Sequence, residues 1–330
     1  MSPFILMLIL VCIALGFDYV NGFHDAANIV ATLIASGAAT PRVAIPLVAL
    51  CHFIGPLLIG TAVATTIGTG IVSPESITIP VIITALLAAI IWNLITWYFG
   101  LPSSSSHALV GGMVGAVWVA VGFSYIHIAG LVKILGFLFG SLLVGTLSGY
   151  MAMMAVRFFA RGASPKANVF FKNIQIPVAI ALGLSHGSND AQKTMGIITM
   201  ALVILGFQQE FVVPLWVVLA CSSAIAIGTA TGGWRIIRTV GRGIFRVRPV
   251  HAFTAQSCSA VIIFVSSLMG GPVSTTNVVS STIMGVGSAE RISAVRWGMA
   301  RNIILAWVVT LPIVAALAAL LYKLISLVML

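Results

Sequence analysis

Two stretches of this chain, VAIPLVALCHFIGPLLIGTAVATTI (43 to 67) and ITIPVIITALLAAIIWNLITWYFG (77 to 100), contain no Asp, Glu, Lys or Arg. Each is longer than the roughly 20 residues with which a helix crosses the hydrocarbon core of a bilayer. They are typical of the chain, in which 60% of residues are hydrophobic and 7% charged. A soluble domain carries about 25% charged residues. The pattern therefore predicts an all-α polytopic membrane protein of about 10–12 membrane segments. An outer-membrane barrel is excluded, because the ~10-residue alternating segments that build one are missing.

Twelve apolar segments are legible between residues 4 and 322, and the polar connections between them fall into two kinds. Those at 157 to 172, 235 to 248 and 291 to 296 are rich in Lys and Arg, whereas 68 to 76 and 122 to 128 carry neither. The positive-inside rule places the basic connections in the cytoplasm and the bare ones outside. The formal net charge of +10 thus reports orientation and does not imply a nucleic-acid partner. The opening MSPFILMLILVCIALG lacks the basic region and cleavage site of a signal peptide and is expected to belong to the mature fold. Cys12, Cys51, Cys221 and Cys258 lie too far apart in sequence to suggest a metal site and read as packing residues.

The most informative pattern is a duplication. NGFHDAAN (21 to 28) recurs as HGSNDAQK (186 to 193), with Asp25 and Asp190 separated by 165 residues, half the chain. PSSSSHALVGGMVG (102 to 115) recurs as PVSTTNVVSSTIMG (272 to 285), at an offset of 170. Matched connections differ in charge and so fall on opposite sides, which predicts inverted-topology repeats with discontinuous helices. The expected division is a first transmembrane repeat at 1–156, a basic cytoplasmic linker at 157–173 and a second repeat at 174–330. An odd number of crossings, five per repeat, puts both termini outside. A hairpin that dips in and returns would change the helix count and leave the sidedness as it is.

A membrane carboxylate costs at least ~2.5 kcal/mol on insertion scales and points to function. In the first half, two stretches too short to span are joined by DYVNGFHD, so a helix break is expected near Gly22, with the second half-helix starting near Asp25. Its free N–H groups would suit an anion, and the carbonyls of the preceding half-helix a small cation. Asp18, Asn21, Asp25 and Asn28 follow steps of 3, 4 and 3 and share a helix face; His186, Asp190 and Lys193 occupy the matching face. The plainer alternative is that Asp190 and Lys193 pair only to pin helix packing. Ser104, Ser105, Ser106, Ser274, Thr275 and Thr276 offer hydroxyl and backbone donors for a tetrahedral oxyanion, or merely cap helices and join them. His24 relays a proton, bonds the anion or merely orients Asp25. His52 reads as a buried helix contact.

On these four motifs the sequence resembles the PiT family of inorganic phosphate transporters, in particular its bacterial Pit branch, over essentially the whole chain. His24 stands where many members have Asn, and Gln192 and Lys193 replace Ala-Asn, departures similar to those of the Pit branch. The resemblance implies a symporter importing inorganic phosphate with a proton or sodium by alternating access. It would be a homodimer with external termini in the inner (plasma) membrane, with lipid around it and no cofactor. Sulfate is the closest rival substrate, since the family includes sulfate permeases. The resemblance further implies that Asp25, Asn28, Asn189, Asp190, Lys193, Ser104–Ser106 and Ser274–Thr276 hold the substrate. Asp18, Asn21, His24, Asp25, His186 and Asp190 would serve the coupling ion, with any sodium at Asp25 and Asp190. Lys193 puts one expected sodium site in doubt, because its ammonium could take the cation's place or attract the anion. An enzyme is not expected: the G-x-G-D motif of intramembrane aspartyl proteases is absent, and inverted duplication has no role in peptide cleavage.

Overall fold

The computed structural model describes residues 2–72, 77–162, 164 and 166–329, apart from the side chains of 241–243, 328 and 329. Residues 73–76 of the first bare connection, 163 and 165 of the linker, and the Arg242 side chain therefore lie outside the described residues. The rest is helical, in two series of matching order. The first is α1 (Pro3–Asp25), α2 (Ala27–Ala35), α3 (Pro41–Ile59), α4 (Ala62–Gly70), α5 (Ile79–Tyr98), α6 (Ser105–Ala120), a 3-10 turn and α7 (Ile128–Phe159). The second is α8 (Lys166–Ile204), α9 (Leu215–Thr231), α10 (Trp234–Gly243), α11 (Pro249–Leu268), α12 (Thr275–Glu290), a 3-10 turn and α13 (Trp297–Met329). With α1 and α2 taken as one rod, α5 and α11 both have 20 residues, α6 and α12 both 16, and α7 and α13 have 32 and 33.

Seven helices among the described residues are long and apolar enough to cross a membrane, and the α9–α10 pair, bent by 73°, supplies an eighth span if counted as one. Large apolar side chains such as Leu58, Leu143, Met151 and Phe158 are exposed, while nearly all the polar side chains of the twin motifs are buried. That inversion of the soluble pattern is what a hydrocarbon solvent selects.

The structure corrects several local expectations. The helix passes straight through Gly22, whose missing Cβ leaves room for the α9 backbone: a Cβ there would stand 2.9 Å from Thr229 N. The break comes at Ala26, because Asn28 Nδ2 donates to Asp25 O at 2.9 Å and draws that carbonyl out of the ladder. Ile29 N then turns to Ala26 O, at 3.1 Å. A matching break in the second half is absent: α8 runs unbroken through Asp190 for 39 residues. Lys193, which stands where the first half has Asn28, sends its ammonium to side chains and leaves the backbone alone. The expected linker is largely helix, since α7 reaches Phe159 and α8 begins at Lys166. The 43 to 67 run divides at Gly60 (φ +87°) into α3 and α4, and part of the basic 235 to 248 connection is α10.

α5–α6 and α11–α12 are hairpins. Val72 bridges to Ile126 and His127 N donates to Ile71 O at 3.1 Å, so the first hairpin begins and ends at one face. Arg296 N donates to Ile244 O at 3.0 Å and closes the foot of the second in the same way. The hairpins approach from opposite ends of the α1–α2 rod. The foot of α5 shares an apolar cluster with Met7 and Leu10 near the start of α1. Near the foot of α11, Gln256 Nε2 donates to Thr32 Oγ1 of α2 at 2.6 Å.

Each hairpin leans on a long helix through small residues. A Cβ on Gly115 of α6 would stand 2.6 Å from Ala315 Cα of α13. Gly115→Leu is therefore expected to lower stability by about 1–3 kcal/mol or more through overpacking. A melting temperature in detergent equal to that of the unaltered protein would contradict this contact.

Candidate anion and cation site

The two hairpin tips converge on the two membrane aspartates. Ser104 and Ser274 lead into α6 and α12 as N-caps, their hydroxyls accepting from His107 N (3.2 Å) and Asn277 N (3.3 Å). The next two residues of each tip turn inward, and all four have a defined partner.

Ser105 Oγ reaches Asp25 Oδ2 at 2.5 Å and Asn21 Oδ1 at 2.8 Å. Its counterpart Thr275 donates to Asp190 Oδ2 at 3.1 Å. These contacts stay within one helical series. The following residue of each tip crosses to the other. Thr276 donates to Asp25 Oδ1 at 3.0 Å and accepts from Asn28 Nδ2 at 3.0 Å. Ser106 accepts from Lys193 Nζ at 2.6 Å. Both tips and both motif helices thus form one polar cluster with approximate two-fold correspondence, Asn28 answering to Lys193.

The correspondence extends to the residue before each aspartate. His24 Nδ1 stands 2.7 Å from Asp25 Oδ1, while its Nε2 faces Thr96 Oγ1 (3.1 Å) and Ser103 Oγ (3.3 Å). Asn189 Nδ2 donates to Ser267 Oγ at 2.8 Å and Gly271 O at 3.2 Å. Each hairpin is thus tied to the rod it caps by a side chain next to the carboxylate.

Charge is distributed unequally. Lys193 Nζ lies 2.5 Å from Asp190 Oδ1 and His186 Nδ1 3.3 Å from Asp190 Oδ2. Asp25 has neutral hydroxyl donors and His24. Asp18, buried two turns before Asp25, takes a hydrogen bond from Thr194 Oγ1 at 2.5 Å. All fifteen residues expected at the site are buried. Yet several of their polar atoms make no hydrogen bond: Asn21 Nδ2, Asn28 Oδ1 and Asn189 Oδ1. Buried groups left in this state cost about 1–3 kcal/mol each.

Of the expected residues, Ser104 and Ser274 are structural caps, and the others enter or adjoin the cluster. Thr96, Ser103, Ser267 and Thr194 join these contacts without being singled out by the motifs, and Gln192, in sequence only a departure from the family pattern, accepts from Val63 N at 2.9 Å. His52 is a buried helix contact, as expected: its Nδ1 pairs with Thr229 Oγ1 at 2.8 Å and its ring stacks on His186 with centroids 4.9 Å apart. Single hydroxyls in apolar helices are common as helix contacts and carry little signal; the similar spacing of Thr96 and Ser267 from their tips was the available clue.

The sequence model described as "Phosphate transporter family" matches residues 21–165 and 160–318. The chain belongs to this family of transporters. Within the family it is 45% identical to a chain of Rhizobium meliloti (strain 1021), over 97% of its own length and 96% of the relative's. It is 43% identical to one of Bacillus subtilis (strain 168), over 98% of each. Both relatives are described as a "Probable low-affinity inorganic phosphate transporter". Among solved structures the fold matches "The sodium-dependent phosphate transporter" with a TM-score of 0.87, 24% identity and coverage of 98% and 99%. The family and the all-α membrane fold expected from the motifs are both borne out.

Proposed function

We propose that this phosphate transporter family member is a secondary symporter that imports inorganic phosphate with a cation by alternating access. The observation that carries the reading is the junction of two hairpin tips, from opposite ends of the rod, on two buried carboxylates. The relatives described as inorganic phosphate transporters supply the substrate. Orphaned acceptors at Asn28 and Asn189 beside an orphaned donor at Asn21 suit an anion that both donates and accepts hydrogen bonds. Protonated phosphate does both, whereas sulfate at neutral pH only accepts.

In this reading Ser105, Ser106, Thr275 and Thr276 exchange their present partners for phosphate oxygens, with Lys193, Asn28 and Asn189 around them. Asp25 and Asp190, flanked by Asp18, Asn21, His24 and His186, carry the coupling ion. Lys193 is paired with Asp190, whereas Asp25 has no Lys or Arg beside it. Either a proton or a sodium ion suits that position. Gating follows from the hairpins: each closes the cluster from one side. A cleft of about 460 Å³ lined by Thr65, Thr66, Thr69 and Lys133 runs from the face of the first foot to Met269 and Gly270 at the second tip.

The matching order of helices supports two inverted repeats, 1–156 and 174–330, with α8 extending the second back to Lys166. The bare foot of the first hairpin then faces outward and the arginine-rich foot of the second faces the cytoplasm of an inner membrane, with both termini external. A homodimer is part of the same proposal.

Uptake of labelled phosphate and sulfate into proteoliposomes, under separately imposed proton and sodium gradients, tests it. Phosphate should accumulate above empty vesicles and respond to one gradient. Uptake indifferent to both, or faster for sulfate, would reject the assignment.

A further inference from the structure

Four of the basic side chains at the foot of the second hairpin do more than mark a cytoplasmic face. Arg157 at the end of α7, Arg246 and Arg248 before α11, and Arg291 after α12 surround a cavity of about 470 Å³ with His251 and Glu290. Arg157 Nη1 donates to Ala289 O at 2.6 Å and so holds the last turn of α12. The one carboxylate present, Glu290, stands 3.7 Å from His251 Nε2. Among the described residues no carboxylate lies within ion-pairing distance of these arginines.

The architecture does not require that charge. At the corresponding foot of the first hairpin, closed by the same kind of backbone hydrogen bond, the described residues 71–72, 77–80 and 120–128 include no Lys or Arg. The positive-inside tendency accounts for basic residues on one face and not for their convergence on one cavity. Guanidinium groups that line one cavity repel one another unless an anion joins them, and their planar forks match phosphate oxygens in pairs. A second lobe of about 420 Å³ shares Arg157, Arg248, His251 and Glu290 and is lined by Met153 and Phe171, so apolar surface adjoins the charged part.

We propose that this cavity is a second site for a phosphate group, distinct from the buried transport cluster. Its occupant is an anionic phospholipid whose headgroup phosphate sits among the arginines and whose chain follows the apolar lobe, or free inorganic phosphate. Either would staple α7, the segment before α11 and the end of α12, the helix whose opposite end carries Thr275 and Thr276. The site steadies the second hairpin from its foot. This goes beyond the transport reading; of its test, only the phosphate-binding arm rests on that reading.

The test uses the full chain with the double substitution R246Q/R291Q, both positions being exposed, and R246K/R291K as the charge-preserving control. One arm counts phosphatidylglycerol molecules retained after extraction from mixed phosphatidylcholine and phosphatidylglycerol nanodiscs, by native mass spectrometry. The other measures equilibrium binding of labelled inorganic phosphate in an Asp25→Asn background, where the transport site is impaired. Loss of a retained lipid in the glutamine variant identifies the lipid source. Phosphate binding at least tenfold weaker identifies the free anion. The lysine variant should lie between the two, since it keeps charge and loses the paired hydrogen bonds. If neither arm distinguishes the glutamine variant from the parent, the proposal is overturned. Should R246Q/R291Q fail to fold, Arg246→Gln alone carries the same comparison.

Discussion

Asp190→Asn is expected to destabilise the protein by about 3–5 kcal/mol, because it strands a buried ammonium. Lys193 is 1% exposed and its Nζ has two partners, Asp190 Oδ1 at 2.5 Å and Ser106 Oγ at 2.6 Å. Without the carboxylate the ammonium keeps only neutral acceptors, the asparagine amide oxygen and the Ser106 hydroxyl, in a bundle shielded from water, where a charge with no counter-ion has no way to recover its hydration. Replacing both residues, as Asp190→Asn with Lys193→Asn, removes the stranded charge and should recover most of the stability. It should not recover transport, if Asp190 and Lys193 serve the site. Thermal unfolding in detergent, followed by tryptophan fluorescence, gives the first result, and phosphate uptake by the same variants gives the second. A double variant that transports at the parental rate would mean that the pair only fastens α8 to its neighbours. A single variant as stable as the parent would contradict the charge argument altogether.

What could be read in the sequence follows from cost. Aspartate, asparagine, histidine and lysine are expensive in apolar segments, so their recurrence at one offset stands out, and Asp25, Asn28, Asp190 and Lys193 do lie in one cluster. The serine and threonine triplets were legible for the same reason, because they recur in register. The path of the chain was less so. α5 has the 20 residues of an ordinary span, and nothing in its composition distinguishes a helix that crosses from one that stops at a hairpin tip. The break at Ala26 turns on whether the residue three places after the aspartate can reach back to its carbonyl. Asn28 can and Lys193 prefers acids and hydroxyls, a difference settled by side-chain geometry that the shared motif conceals. Whether Ser104 and Ser274 cap helices or face the cluster stays open in sequence, because a serine beside two inward-facing hydroxyl residues looks the same there. Only the start of α6 and α12 assigns it to the backbone.

Asp25→Asn should have the opposite profile: a stable protein that does not transport. Around Asp25 the donors are the hydroxyls of Ser105 (2.5 Å) and Thr276 (3.0 Å) and the His24 ring (2.7 Å). An asparagine keeps one oxygen to accept from Thr276 and His24. Its amide can donate to Ser105, whose hydroxyl then turns to Asn21 Oδ1, 2.8 Å away. Every hydrogen bond is replaced and no ion is left without a counter-ion, so the expected loss of stability is about 1 kcal/mol, the scale of one rearranged hydrogen bond. What vanishes is the negative charge that a proton or sodium ion would meet. Coupled uptake should then fall to the level of empty vesicles, under a proton gradient and a sodium gradient alike, while the melting temperature stays close to the parental value. The contrast with Asp190→Asn is the informative part, since the two substitutions are chemically identical and occupy corresponding positions. Their different costs in stability would trace to one asymmetry between the halves, an asparagine at 28 against a lysine at 193. If Asp25→Asn retains full gradient-driven uptake, Asp25 is a packing residue and the coupling ion must be carried elsewhere in the cluster.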